Sequence, residues 1–123
     1  MDIEQFNQLA EQALENLPEY FQSLITNAVI VIEDYPDDEI VHTMNLPSKR
    51  NLLGLYQGIP LTKRTTSYGM FPVAPDKISL YQKNIESVCR NESEIGKKIE
   101  EVLIHEIAHH FGMDEEQVRA AGY

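Results

Sequence analysis

Residues 102–123 read VLIHEIAHHFGMDEEQVRAAGY, and this stretch decides the fold. Ile95, Ile99, Val102, Leu103, Ile104, Ile107, Ala108 and Phe111 recur at helical spacing, which predicts a long helix with a broad apolar face. Asn91 or Ser93 can cap its start, with Glu94 placed to answer Asn91. Gly112 suits a left-handed stop, and Asp114 can cap a short final helix reaching about Ala121. Inside the long helix sits His105-Glu106-Ile107-Ala108-His109. Helix positions four apart fall ~40° from each other, so the two imidazoles can aim at one point. Glu106 points ~100° away from His105, too far round for a comfortable third ligand. It is placed instead to hydrogen-bond a water held on a metal. The pattern separates two metal ligands from one general base on a rigid rod. In a shuffled chain with 4 His and 14 Glu it would arise with a probability of about 0.014.

The pattern continues beyond the second histidine. Gly112 falls three residues after His109, and Glu115 six after. A glycine there ends the helix and lets the next residues swing back over the metal. Zinc accepts carboxylate oxygen, so His105, His109 and Glu115 form the expected ligand set of one Zn2+. Asp114 and Glu116 flank the third position as alternatives, and Asp114 has its competing role as a cap. His110 lies ~140° round from His105, off the metal face, as a neighbour of the site or a surface residue. Glu101, one turn before His105, is a candidate to support it. His42 is expected at the surface, and Cys89 as a small buried hydrophobe.

Working outward, Ile3, Phe6, Ala10, Ala13, Leu14 and Leu17 predict an amphipathic helix stopped near Pro18. A second short helix should bury Tyr20, Phe21, Leu24 and Ile25. Asn27 to Asp34 (NAVIVIED) reads as a strand buried on both faces. Pro36 to Glu39 reads as an acidic turn, with a helical turn over Asp38 to Met44. Leu52 to Gln57 reads as a strand interrupted by Gly54, and Gly58 to Gly69 as a loop. Lys77 to Gln82 alternates like a strand with one buried face, and Asn84 to Cys89 suits a short helix. The fold class is therefore α+β: one domain over residues 1–123, with a small mixed sheet packed on the motif-bearing helix and further helices at both ends.

Composition narrows the function classes. Twenty acids against ten bases give a net charge of −10, which repels nucleic-acid phosphates and anionic membrane surfaces. A single cysteine, Cys89, excludes an intrachain disulfide and a cysteine-rich zinc finger. The longest apolar run, Ala28 to Ile32, is far short of the ~20 residues of a membrane span. The start, Met1-Asp2-Ile3-Glu4, lacks a signal-type apolar core. A cytoplasmic monomer is expected.

Two segments, Leu53 to Ser67 (LGLYQGIPLTKRTTS) and Val102 to Tyr123, carry a family resemblance. Through them the sequence resembles the small zincin-like metallopeptidases, or minimal zincins. The resemblance implies a compact α+β zincin fold and a zinc held by His105, His109 and an acid at position 115. The acid expected there is aspartate, so Glu115 is a departure. The string is also similar to the metzincin signature HExxHxxGxxH, with glutamate in place of the last histidine. Met113 precedes the ligand position and cannot form the Met-turn that floors metzincin sites.

The reaction these residues imply is zinc-dependent hydrolysis of a peptide or amide, with Glu106 as general base. The substrate would be a peptide or protein, lying antiparallel to an exposed sheet edge, with the Lys77–Gln82 strand as the candidate edge. Arg64, Tyr68 and Tyr123 are candidate oxyanion stabilisers. A non-catalytic zinc-binding module is the alternative. A metal-dependent endoribonuclease is a remote one, because the similar RNA-processing motif HGxLHLxGYDH has glycine where Glu106 stands.

Overall fold

A computed structural model describes residues 1–25, 27–58, 75–120 and 122. The described helices and strands are α1 (Ile3–Glu15), α2 (Glu19–Leu24), β1 (Ala28–Glu33), α3 (Asp38–Thr43), β2 (Gly54–Gln57), β3 (Asp76–Tyr81), α4 (Gln82–Ser87), α5 (Ile95–His110) and α6 (Glu115–Ala120). Short 3-10 turns at Lys49–Asn51 and Glu92–Glu94 precede β2 and α5. This is an α+β architecture with a three-stranded mixed sheet in the order β1-β3-β2. β1 runs parallel to β3, with Ile30 beside Ile78, and β2 antiparallel to it, with Tyr56 beside Ile78.

Local chemistry explains the boundaries. Asp2 and Gln5 form a reciprocal capping box at the start of α1, each side chain accepting from the other's backbone N–H. Asn91 accepts from the Ser93 N–H and so caps the 3-10 turn that leads into α5. One face of the sheet supplies Ile78 and Leu80 to the core. Against them pack Phe6 and Ala10 from α1 and Ile99, Leu103 and Ile107 from α5. α5 thus packs against both α1 and β2, and α1 also reaches β1.

The sheet differs from the expected one in three ways. The pattern of Lys77–Gln82 suggests an edge, but β3 is the central strand and is flanked on both sides. The same pattern suggests one buried face, yet Ile78 through Tyr81 are all buried. Alternation of Ile and Leu with Ser and Tyr records side-chain polarity, not what lies above the strand. Conversely, the apolar run of β1 suggests a strand covered on both faces. It lies at an edge of the sheet, where Val29 is 45% exposed. β-Branched residues favour an extended backbone without specifying a central position.

Gly54 opens β2 rather than interrupting it. A Cβ at Gly54 would stand 2.7 Å from Val102 Cγ1 of α5 and 3.0 Å from the Ser79 carbonyl oxygen. At Gly58 it would meet His110 Cε1 at 3.0 Å. Gly54 beside Val102 and Gly58 beside His110 show that β2 and α5 run in the same direction. The expected loop from Gly58 to Gly69 lies, beyond Gly58 itself, outside the described residues.

β3 also buries Ser79 Oγ and the Tyr81 hydroxyl, neither with a hydrogen-bond partner among the described residues. Burial pushes the Tyr81 phenol above its ordinary value, and the nearby Glu33, Asp37 and Glu106 carboxylates push the same way. The Ser79 hydroxyl pulls it back, though the pair lacks good hydrogen-bond geometry.

Two outcomes are expected. Gly54→Ala should lower stability to urea by about 1–3 kcal/mol, and Val102→Ala in the same chain should recover part of that loss. The folded chain holds the Tyr81 proton more tightly than the unfolded chain, where tyrosine ionises near ~10. The stability this contributes is intact below about pH 10 and is lost as pH rises toward the folded value. Denaturation midpoints compared at about pH 9 and about pH 11 should therefore fall less in Tyr81→Phe than in the wild type.

Candidate metal centre

His105, Glu106 and His109 lie in the last turns of α5. The helix stops one residue after His109, at His110, in a Schellman turn. The Met113 N–H donates to the Ala108 carbonyl at 2.8 Å, and the Gly112 N–H to that of His109 at 3.1 Å. Gly112 takes φ +87°, a conformation that favours glycine. The chain then re-enters a helix at once. The Gln117 N–H donates to Asp114 Oδ1, and the Asp114 N–H to Gln117 Oε1, both at 2.8 Å. This reciprocal box fixes the start of α6 and turns Glu115 back over α5.

The outcome is a convergence. Glu115 Oε1 lies 3.2 Å from His109 Nε2, and Glu115 Oε2 lies 3.4 Å from His105 Nε2. On its other side, His105 Nδ1 stands 2.9 Å from the Glu101 carbonyl oxygen. A carbonyl only accepts, so Nδ1 carries a hydrogen, and in the neutral ring Nε2 is left as a bare lone pair. That lone pair faces a carboxylate oxygen. Two acceptors opposed in this way are both satisfied by a cation between them. Two ligands on a tetrahedral zinc, each bonded at ~2.0–2.1 Å, stand ~3.3 Å apart. The two contacts straddle that spacing, so the donor set fits zinc. Each carboxylate oxygen still faces a different ring. Among the described residues no three His, Cys, Asp or Glu side chains already enclose a common point. The Glu115 side chain is half-exposed.

Glu106 faces the sheet side of the helix. The Tyr56 backbone amide faces its carboxylate. Burial raises its pKa above the ordinary carboxylate value, while the Tyr56 amide and then His109 and His105 pull it back. The Tyr81 N–H donates to the Leu53 carbonyl at 3.0 Å, and bonded pairs alternate along an antiparallel ladder. Gly54 and Tyr56 therefore turn their backbone groups away from β3. The Tyr56 N–H is directed toward Glu106, and the outward groups of Gly54 have no partner among the described residues.

His105, Glu106, His109 and Glu115 share one open cleft of about 430 Å³. Leu52, Leu53, Gly54 and Val102 line its side, and Lys98 and Glu101 its end. Of the two alternatives to Glu115, Asp114 is occupied as the cap of α6. Glu116 does not line the cleft. His110 stacks on the Tyr56 ring at 4.0 Å and 24°, and so ties the end of α5 to β2. Glu101 meets His105 through its backbone carbonyl rather than its carboxylate. His42 lies in the exposed last turn of α3. Arg64, Tyr68 and Tyr123 lie outside the described residues. Tyr56 was invisible to sequence reasoning, because its amide matters only by facing outward from an edge strand. The Glu101 carbonyl was within reach, since a helical histidine can always address the carbonyl four residues back.

Among curated proteins none matches this sequence. Among solved structures, a conserved hypothetical protein from Thermo thermophilus has the same fold. It is 20% identical, with a TM-score of 0.54 over 98% of each chain. The family model described as zincin-like metallopeptidase matches residues 25–123, which include the whole sheet and the 105–115 cluster. The chain therefore belongs to the zincin-like metallopeptidase family.

Proposed function

We propose that this protein is a zinc-dependent hydrolase of peptide or other amide bonds, with His105, His109 and Glu115 as the metal ligands and Glu106 as the general base. The observation that carries this reading is His105 Nε2 facing the Glu115 carboxylate at 3.4 Å while its Nδ1 meets the Glu101 carbonyl, with the partly buried Glu106 next along the helix. Zinc held there would supply Lewis acidity, making water more acidic and a carbonyl more electrophilic. The Glu101 carbonyl sets the tautomer and orientation of His105. Glu106 takes a proton from the attacking water onto a carboxylate oxygen and returns it to the departing amine nitrogen.

A peptide fits best along β2, which replaces β3 as the edge open to substrate. Gly54 offers an N–H and a C=O beside the cleft, and an antiparallel strand can pair with both. Leu52, Leu53 and Val102 give apolar contact but no deep pocket. Such a site suits an extended segment better than a compact small molecule.

Two measurements test the assignment. Glu115→Ala should weaken zinc binding by more than about tenfold, since even residues that merely orient a ligand cost about that much. Asp114→Ala, which removes only the cap, should weaken it less while costing about 1 kcal/mol of stability. Equal zinc affinity in wild type and Glu115→Ala would remove Glu115 from the ligand set. Glu106→Gln should retain zinc and lose cleavage of a peptide library by at least about a hundredfold. Undiminished cleavage in that variant would overturn the role of Glu106.

A further inference from the structure

We propose that Lys98 forms a carboxylate-recognising subsite, which receives an acidic group about two to three residues to the C-terminal side of the bond presented to Glu106. The proposal rests on the peptide-hydrolase reading and adds a substrate class to it.

Direction comes first. β2 and α5 run the same way, because Gly54 lies against Val102 and Gly58 lies against His110. A strand added antiparallel to β2 runs the opposite way along the cleft. It enters near Gly58 and His110, passes the histidines, and leaves toward Leu53, Leu52 and Lys98. The half that follows the reacting carbonyl is therefore the half that meets Lys98.

Distance comes next. Lys98 precedes His105 by two helical turns, about 10 Å along the axis. An extended peptide advances ~3.3 Å per residue, so that span covers about three residues. The flexible stem of lysine extends the range down to two.

Charge completes the argument. Lys98 is the one cation among the described residues lining the cleft, and the other charged groups there are Glu101, Glu106 and Glu115. Its ammonium donates to Glu101 Oε2 at 2.9 Å and is about a third exposed. An ammonium has three N–H donors, so two remain for an incoming carboxylate. Exposed pairs of the Lys98–Glu101 kind are weak and easily shared. Elsewhere in the cleft a substrate carboxylate meets repulsion from the glutamates. Lys98 thus selects acidic peptides and also fixes their register. A free C-terminal carboxylate and an Asp or Glu side chain present the same chemistry to it.

The test uses the zinc-loaded full chain and tripeptides capped at the N-terminus with a hydroxamate, which anchors them at the metal with a known direction. Affinity is read by fluorescence polarisation. The three peptides are an amidated alanine peptide, the same peptide with a free C-terminal carboxylate, and an amidated peptide with glutamate at its second or third position. Each carboxylate should tighten binding roughly three- to tenfold over the amidated alanine peptide, and the two arms show which source fits better. Lys98→Arg should keep the preference, Lys98→Ala should abolish it, and Lys98→Glu should invert it toward a lysine-bearing peptide. Binding of all three peptides with equal affinity in the wild type, or an unchanged preference in Lys98→Glu, overturns the subsite and leaves the hydrolase reading standing. Failure of every hydroxamate peptide to bind a chain that holds zinc overturns both.

Discussion

The site depends on how closely one helix approaches one strand. α5 meets β2 at Gly54, where even a methyl group would collide with Val102 and with the backbone of the central strand. That approach brings the Tyr56 amide within reach of Glu106 and the Tyr56 ring onto His110. The opposite stripe of α5 is fixed by burial of Ile99, Leu103 and Ile107 in the core. With both stripes committed, the helix cannot roll, and the histidines on the remaining stripe are aimed by it. Precision in the site comes from packing that lies outside it.

The third acidic group is placed by a different device. Glu115 belongs to no packed face; it is carried by a short six-residue helix, α6, whose start and approach are held by two capping arrangements back to back. The Schellman turn satisfies the last carbonyls of α5, and the Asp114–Gln117 box satisfies the first amides of α6. Between them they leave almost no freedom in residues 111–114. A longer connection would let the carboxylate wander and would raise the entropic cost of bringing it to the histidines.

Much of this was legible in the sequence because it is local. Helical periodicity, capping residues and the stop at Gly112 are all decided within a few residues, and they yielded α1, α5 and α6 nearly to their ends. Asp114 was readable as a cap for the same reason, and that already argued for Glu115 over its neighbour. Strand order was not legible. β1 looks like a buried central strand because it is apolar, and β3 looks like an edge because Ser79 is polar. Pairing across long sequence separations decided otherwise. Residues that act through backbone groups, Tyr56 above all, leave no mark in the sequence, since any amino acid but proline supplies an N–H.

The Tyr56 amide facing Glu106 has a second consequence, for sheet growth. An edge strand is a template onto which other chains can add, and proteins usually blunt such edges with charge, bulges or brevity. β2 is four residues long, and the two residues that turn their backbone groups outward, Gly54 and Tyr56, are buried. The Glu106 carboxylate sets a negative charge beside one of them. Among the described residues, the edge offered to a second chain is therefore short, recessed and charged, which suits it to a single guest strand and not to growth of the sheet.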